Sequence, residues 1–421
     1  MPGPGPDRGR DDPKRESTTP YQGVPHPTRR ALLDGIAGIG ALALSLALVD
    51  QLRLGPVSST APPSDAWPLA RYDAAGTAHN PNATPPTEPE IDWVDDSLAA
   101  SRTVPVGMVV GPDAVYASAV GTVALERATG TRQWRTDEVG GPLALHDGTL
   151  YVDDFGTLRA LAADGTERWA TDLPADAASL VVADGTVFVG GTDGVYAYAT
   201  GSGARKWTDG DGWADHVRVA GGRLLASGDS LTRYRRRSVL DVPLGSPPPV
   251  DWTSTVVDMD SVAVTDAGPV VAGHGTDREP MLVALDNAGE TRWRAVDDAG
   301  EFVAASPVAV ADSHCVVGIV VGGERSWHAV GSYRLDDGSR RWRRRLDQLV
   351  TDVAVVDGAV IVGTEPGDVA PSEASGTVRA LDPADGAERW RVPVDPGCRS
   401  LAPVDGTVFA VSTDERVLAI R

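Results

Sequence analysis

The sequence is almost without lysine. Of its 38 basic residues only Lys14 and Lys206 are lysines, and 59 acidic residues, mostly aspartate, give a formal net charge of −21. A hydrated, carboxylate-rich surface of this kind suits a protein kept soluble in concentrated salt, where screening cancels self-repulsion. An extreme halophile is the expected source. With no net basic footprint, nucleic acid is excluded as a partner. Cysteine is nearly absent too. Cys315 and Cys398 stand far apart, form no metal set, and read as buried small hydrophobes. Asparagine is confined to Asn80, Asn82 and Asn287. Aromatics make up 5% of the chain, with 11 Trp outnumbering 8 Tyr and 4 Phe. The apolar run Ile36–Val49 is short for a comfortable membrane span.

What the chain does contain is repetition. The phrase from Gly376 through Val378, Ala380, Leu381 and Gly386 to Trp390 returns in varied form at Gly121–Trp134, Gly156–Trp169, Gly194–Trp207, Leu282–Trp293 and Tyr333–Trp342. Asp-Gly or Gly-Gly pairs precede apolar runs, as at Asp147-Gly148, Asp184-Gly185, Gly221-Gly222, Asp357-Gly358 and Asp405-Gly406. Such pairs mark tight hairpins, because glycine supplies the positive φ those turns require. Each unit therefore reads as an apolar strand after the turn, a Val-x-Ala-Leu strand pairing back, and a Trp-bearing strand. Short strands at this spacing, four to a unit, describe propeller blades.

The repeat tryptophans Trp93, Trp134, Trp169, Trp207, Trp252, Trp293, Trp342 and Trp390 predict an all-β, eight-bladed β-propeller of four-stranded antiparallel blades. Seven blades is the alternative, if the irregular stretch 208–262 is not a complete blade. Trp93 has no complete strand pair before it, and the last unit, Thr407–Ile420, has no tryptophan of its own. The segment around Trp93 is thus expected to complete the C-terminal blade, closing the ring and removing its open edges. A large ring recurring once per blade fills the wedge between neighbouring sheets, where its indole N–H finds a backbone acceptor. These eight are read as structural.

Outside the repeats, residues 1–27 are rich in Pro, Gly, Asp and Arg and are expected to be disordered. Residues 28–54 pair Arg29 and Arg30 with an apolar stretch, the pattern of a twin-arginine export signal or an uncleaved membrane anchor. Residues 55–66 form a Pro/Ser linker, and the propeller is expected over 67–421.

The Trp-ended units, with their Val-x-Ala-Leu-Asp core, resemble the pyrroloquinoline-quinone-like β-propeller repeat family. The opening Trp67-Pro68-Leu69-Ala70-Arg71-Tyr72-Asp73 is similar to the Trp-x-x-x-Arg-x-Asp segment that often begins these domains. The resemblance implies a fold more than an activity. The family includes quinoprotein alcohol dehydrogenases and non-enzymatic scaffolds, among them the propeller lipoprotein of the bacterial outer-membrane assembly machine. The dehydrogenases carry vicinal cysteines and a calcium site of Glu, Asn and Asp, which this sequence does not reproduce.

No catalytic, cofactor-binding or metal-binding residue is therefore assigned, and no cofactor is expected. Asp209, Asp211 and Asp215 loosely imitate a calcium loop but lack its closing glutamate. The basic runs Arg233–Arg237 and Arg341–Arg345 read first as strand-edge charges. Arg235, Arg236 and Arg237, in the most irregular unit, together with Trp213 and Trp327-His328, placed in a long connection Gly322–Ala329, are the candidates for a partner surface. The expected protein is an exported or membrane-anchored, monomeric, non-enzymatic scaffold binding another protein at the cell surface. A divergent quinoprotein alcohol dehydrogenase is the alternative, and a polysaccharide-binding or glycan-cleaving propeller a third reading, weakened by the low aromatic content.

Overall fold

The computed structural model describes residues 62–63, 65–98, 107–119, 121–136, 140–210, 212–235, 245–254, 257–274, 280–295, 303–304, 307–321, 327–367 and 375–421. Arg29, Arg30, Asp211, Arg236 and Arg237 lie outside these residues, as do the expected disordered region and signal segment. No helix among the described residues is long and apolar enough to cross a membrane.

Eight antiparallel sheets follow one another along the chain. Blade 1 spans Gly107 to Thr136, blade 2 Leu143 to Asp172, blade 3 Ala177 to Asp209 and blade 4 His216 to Ser254. Blade 5 spans Val257 to Ala295, blade 6 Val303 to Leu346 and blade 7 Gln348 to Val394. Blade 8 combines Cys398–Val404, Thr407–Ser412 and Val417–Ile420 with the distant strand Ile91–Asp95. That last pairing sets Trp93 opposite Ala419, so the ring closes as the sequence led us to expect. The irregular stretch makes a complete four-stranded blade 4, which sets aside the seven-bladed alternative.

The strands that follow the Asp-Gly turns are the second of each blade. The first, innermost strand precedes the turn, and in blade 6 it is split into Val303–Ala304 and Ala309–Val310. The second and third strands are buried almost throughout, as in Thr186–Gly191 and Gly194–Ala199, because both faces pack on neighbouring blades. The outermost strands alternate exposed with half-buried residues, as in Glu167–Asp172.

The repeat tryptophans lie between blades. The indole Nε1 of Trp134 donates to Ala163 O at 2.8 Å, Trp169 to Thr200 O at 2.9 Å, Trp252 to Asn287 O at 3.2 Å, Trp293 to Leu335 O at 2.8 Å and Trp342 to Pro383 O at 2.9 Å. Each acceptor belongs to the following blade. There the ring also lies against a turn glycine: a Cβ on Gly165 would stand 2.9 Å from Trp134, and one on Gly338 2.6 Å from Trp293. Those glycines have φ of +83° and +72°, so the turn needs glycine for backbone and contact alike.

Candidate binding faces of the propeller

Because consecutive strands run in opposite directions, the turns joining first to second strands gather on one face, here called the front. The turns joining second to third strands and the links between blades gather on the rear.

The front end of the axis is crossed by a strap, residues 66–84, which pairs with the blades only in short pieces: single bridges of Trp67 with Val110 and Leu69 with Ala144, and the two-residue parallel pairing of His79–Asn80 with Val355–Val356. Its carbonyls meet the inner edge of one blade after another. Val110 donates to Trp67 O at 2.8 Å and Leu145 to Pro68 O at 2.7 Å. Val219 reaches Ala74 O at 2.7 Å, Val264 Ala75 O at 2.9 Å, Val310 Thr77 O at 2.8 Å and Val355 Ala78 O at 2.9 Å. Gly406 in blade 8 completes the series on Thr84 O at 2.9 Å. The strap satisfies backbone N–H groups on edges that would otherwise face the axis unpaired.

Beneath the strap lies a charged layer. Arg71, mostly covered, forms an ion pair with the buried Asp352 of blade 7 and donates to Val308 O at 3.0 Å and Val353 O at 3.1 Å. Asp352 accepts two backbone hydrogen bonds as well, from Leu401 at 2.9 Å and Val353 at 2.8 Å. Burial pushes its carboxyl upward, against the pull of Arg71 and these N–H groups. Arg218 of blade 4 lies under Gly76 and donates to Val262 O at 2.9 Å and Val217 O at 2.8 Å. Burial and repulsion from Arg71 lower its guanidinium to about 10, with Asp73 acting the other way. Asp73 accepts from Thr77 N at 3.0 Å and Thr77 Oγ1 at 2.7 Å, folding the strap on itself.

Above the strap opens a funnel of about 1500 Å³, walled by the front turns of blades 2 to 6. Asp147, Asp184, Asp266, Asp312 and Asp336 line it, with His79, Arg292, Arg334 and Arg341. His314 stands behind this wall, buried, with no hydrogen-bond partner for its Nε2. Burial first, then the positive charge of Arg341 and of His79, hold its imidazole down at about 4, Asp312 opposing.

The rear face differs in character. Phe155, at the tip of the blade 2 turn, is 59% exposed with φ of +37°, and Trp213, on the link from blade 3 to blade 4, is 52% exposed. Backbone contacts connect the two places. Asp153 accepts from Gly156 N at 3.1 Å and from Ala177 N at 2.9 Å, and Ala214 N donates to Gly191 O at 3.0 Å. Burial raises the Asp153 carboxyl to about 6 despite those two donors, with Asp176 and Asp154 adding to the rise. A bulky aromatic at positive φ is unfavourable on its own and concentrates where a surface has a task.

Other residues singled out in the sequence fall elsewhere. Trp327 does not lie in a connection: it opens the third strand of blade 6, opposite Val321, and its ring lies under Arg343 at 4.9 Å and Arg345 at 5.6 Å. The basic run Arg341–Arg345 is thus largely engaged, Arg344 also pairing with Glu388 at 3.6 Å. Arg235 is exposed at the end of the third strand of blade 4, while Arg233 is buried against Asp251 at 2.6 Å. Cys315 and Cys398 are buried, unpaired, and lie in blades 6 and 8. Burial raises both thiols, so neither is nucleophilic. Among the described residues no three His, Cys, Asp or Glu side chains converge as metal ligands. The sequence has no vicinal cysteines, and among the described residues the calcium ligands of the quinoprotein pattern have no counterpart, so these residues do not fit that cofactor.

A ring of eight W-ended four-stranded blades, closed by N- and C-terminal strands, defines the class: an all-β propeller of the pyrroloquinoline-quinone-like kind. The family model described as outer membrane protein assembly factor BamB matches residues 119–240 and 328–421, half of the chain, and the protein belongs to that family. Among solved structures it is similar to BamB from Moraxella catarrhalis, at 15% identity and a TM-score of 0.58, over 79% of this chain and 98% of that one. It is also similar to quinohemoprotein alcohol dehydrogenase from Comamonas testosteroni, at 14% identity and 0.61, over 89% and 83%. The computationally designed Ika8 protein gives 14% and 0.61, over 77% and 98%. At such identities the likeness is one of fold. No curated protein matches the sequence.

Proposed function

We propose that the protein is an exported or membrane-anchored, monomeric propeller that binds another protein as a non-enzymatic scaffold at the surface of a cell living in concentrated salt. The observation that supports this most is membership of the family described by an outer-membrane assembly factor. The rear face, with Phe155 and Trp213 exposed among Asp154, Asp176, Asp193 and Asp229, is the proposed docking surface. Exposed aromatics supply contact area at low entropic cost, and the surrounding carboxylates select a partner of opposite charge.

Affinity capture from cell membranes with the full chain tests the reading. A partner retained by the wild type and lost with F155S/W213S supports it; equal recovery with both removes the rear face from consideration. Replacing Arg29 and Arg30 by lysine should leave the protein in the cytoplasm, as read by fractionation. The fold likeness to a quinohemoprotein dehydrogenase favours one competing experiment. A saturable rise in melting midpoint with pyrroloquinoline quinone and calcium would replace the scaffold by an enzyme.

A further inference from the structure

The residue just before each repeat tryptophan occupies a bulge on the outermost strand, and its use differs around the ring. In blade 2 Arg168 donates to Thr149 Oγ1 at 2.7 Å. In blade 3 Lys206 is buried on Gly185 O at 3.0 Å and Thr186 Oγ1 at 3.1 Å. Asp251 of blade 4 holds Arg233, Arg389 of blade 7 holds Asp382 at 2.9 Å, and Asp92 of blade 8 holds Arg421. Blade 1 has the uncharged Gln133. Blades 5 and 6 place arginines here, Arg292 and Arg341, and among the described residues neither makes a side-chain hydrogen bond or an ion pair. Both line the funnel.

Arg334, at the end of the third strand of blade 6, lines the same wall and is exposed. Hydrogen bonds from Ser339 hold the Asp337 carboxyl down, with the charge of Arg334 adding through space, and Arg334 makes no ion pair among the described residues. Among the described residues the acids on this wall, Asp266, Asp312 and Asp336, form no ion pair with the three guanidiniums either. Next to them His314 holds a buried, unpartnered Nε2. In a chain of net charge −21 with abundant aspartate, three unpaired arginines on one wall are conspicuous.

We propose that Arg292, Arg334 and Arg341 form a phosphate-binding subsite on the blade 5–blade 6 wall of the funnel. A guanidinium presents paired N–H donors that match the oxygens of a phosphate. A divalent anion gains more from three such groups than a single carboxylate does, and this attraction is set against the repulsion of Asp266, Asp312 and Asp336 on the same wall and of Asp147 and Asp184 across the funnel. The phosphate could be free or the head of a phosphate monoester. The subsite stands on the opposite face from the proposed protein partner and does not depend on it.

Calorimetric titration of the full chain at constant ionic strength tests this, with inorganic phosphate and glycerol phosphate as probes. The wild type and Arg223→Gln, an exposed arginine outside the funnel, should bind saturably. R292Q/R341Q should bind at least roughly tenfold more weakly. A tighter response to the ester than to phosphate identifies a monoester as the source; the reverse identifies the free ion. Circular dichroism checks that the variant is folded, and R292K/R341K, which preserves charge but removes the planar fork, gives a second reading with intermediate affinity. Equal binding by wild type and R292Q/R341Q, or no saturable binding by the wild type, overturns the proposal.

Discussion

Arg71 binds the strap to the ring through one side chain. Its guanidinium reaches Asp352 and two carbonyls of blades 6 and 7. Truncation to methionine leaves the Asp352 carboxylate buried without its countercharge, a defect that typically costs roughly 3–5 kcal/mol. Chemical denaturation of R71M should show that loss at neutral pH. The loss should shrink as the pH falls, because a carboxyl whose folded-state pKa is raised favours the native state only while protonated. R71M/D352N should recover much of the stability. A second titration runs the other way. His314 is held down at about 4 in the folded protein, against about 6.5 when unfolded. Its neutral form contributes stability that is complete above about pH 6.5 and is lost as the pH falls toward about 4. Wild type should therefore lose stability relative to H314Q across that window; parallel profiles would show that the imidazole is not desolvated. Of these residues, Arg71 and Asp73 stood out in the sequence as part of the opening segment. Their partners did not, because Asp352 lies 281 residues away and closure of the ring alone brings it near.

At the level of elements, the Asp-Gly turn, the Val-x-Ala-Leu strand and the Trp-bearing strand were legible because each obeys a local rule of turn chemistry or alternation. The innermost strands were not. They run from four to nine residues and blade 6 splits its own, so they present no common phrase. The course of the strap from blade to blade was equally silent: those bonds are made by its backbone carbonyls, which side-chain identity does not announce. Trp327 was misplaced for a related reason. Its strand is longer than the repeat predicts, extending to Trp327–Arg334. The wedge geometry also separates tryptophans that look equivalent in sequence. Trp293 is buried, bonds to Leu335 O and rests on Gly338. Trp390 is only partly buried and has no such glycine turn against it, because the matching turn of blade 8 is replaced by the two chain segments that close the ring. Trp293→Ala should cost roughly 3–5 kcal/mol, the range for emptying a large buried site. Trp390→Ala should cost visibly less in the same thermal melts. Equal losses would mean that the following glycine turn adds nothing to the wedge.

For the molecule as a whole, composition bears on conditions more than on shape. The propeller is held by apolar strands buried between blades, which salt strengthens by excluding water-exposed apolar surface. Its net charge of −21 works against compactness until ions screen it. The two effects act in the same direction, so the melting midpoint should rise steadily from about 0.1 M to molar potassium chloride, where the Debye length is only about 3 Å. Surface ion pairs such as Arg389–Asp382 act in the opposite sense, because screening weakens them. Each is worth little. A flat or falling midpoint across that range would mean that paired charge governs stability, and would remove the high-salt habitat from the proposed function. A steep rise confined to low salt, levelling once screening is complete, would assign the salt effect to electrostatics alone, whereas a slower rise continuing beyond that point would be the share of apolar burial.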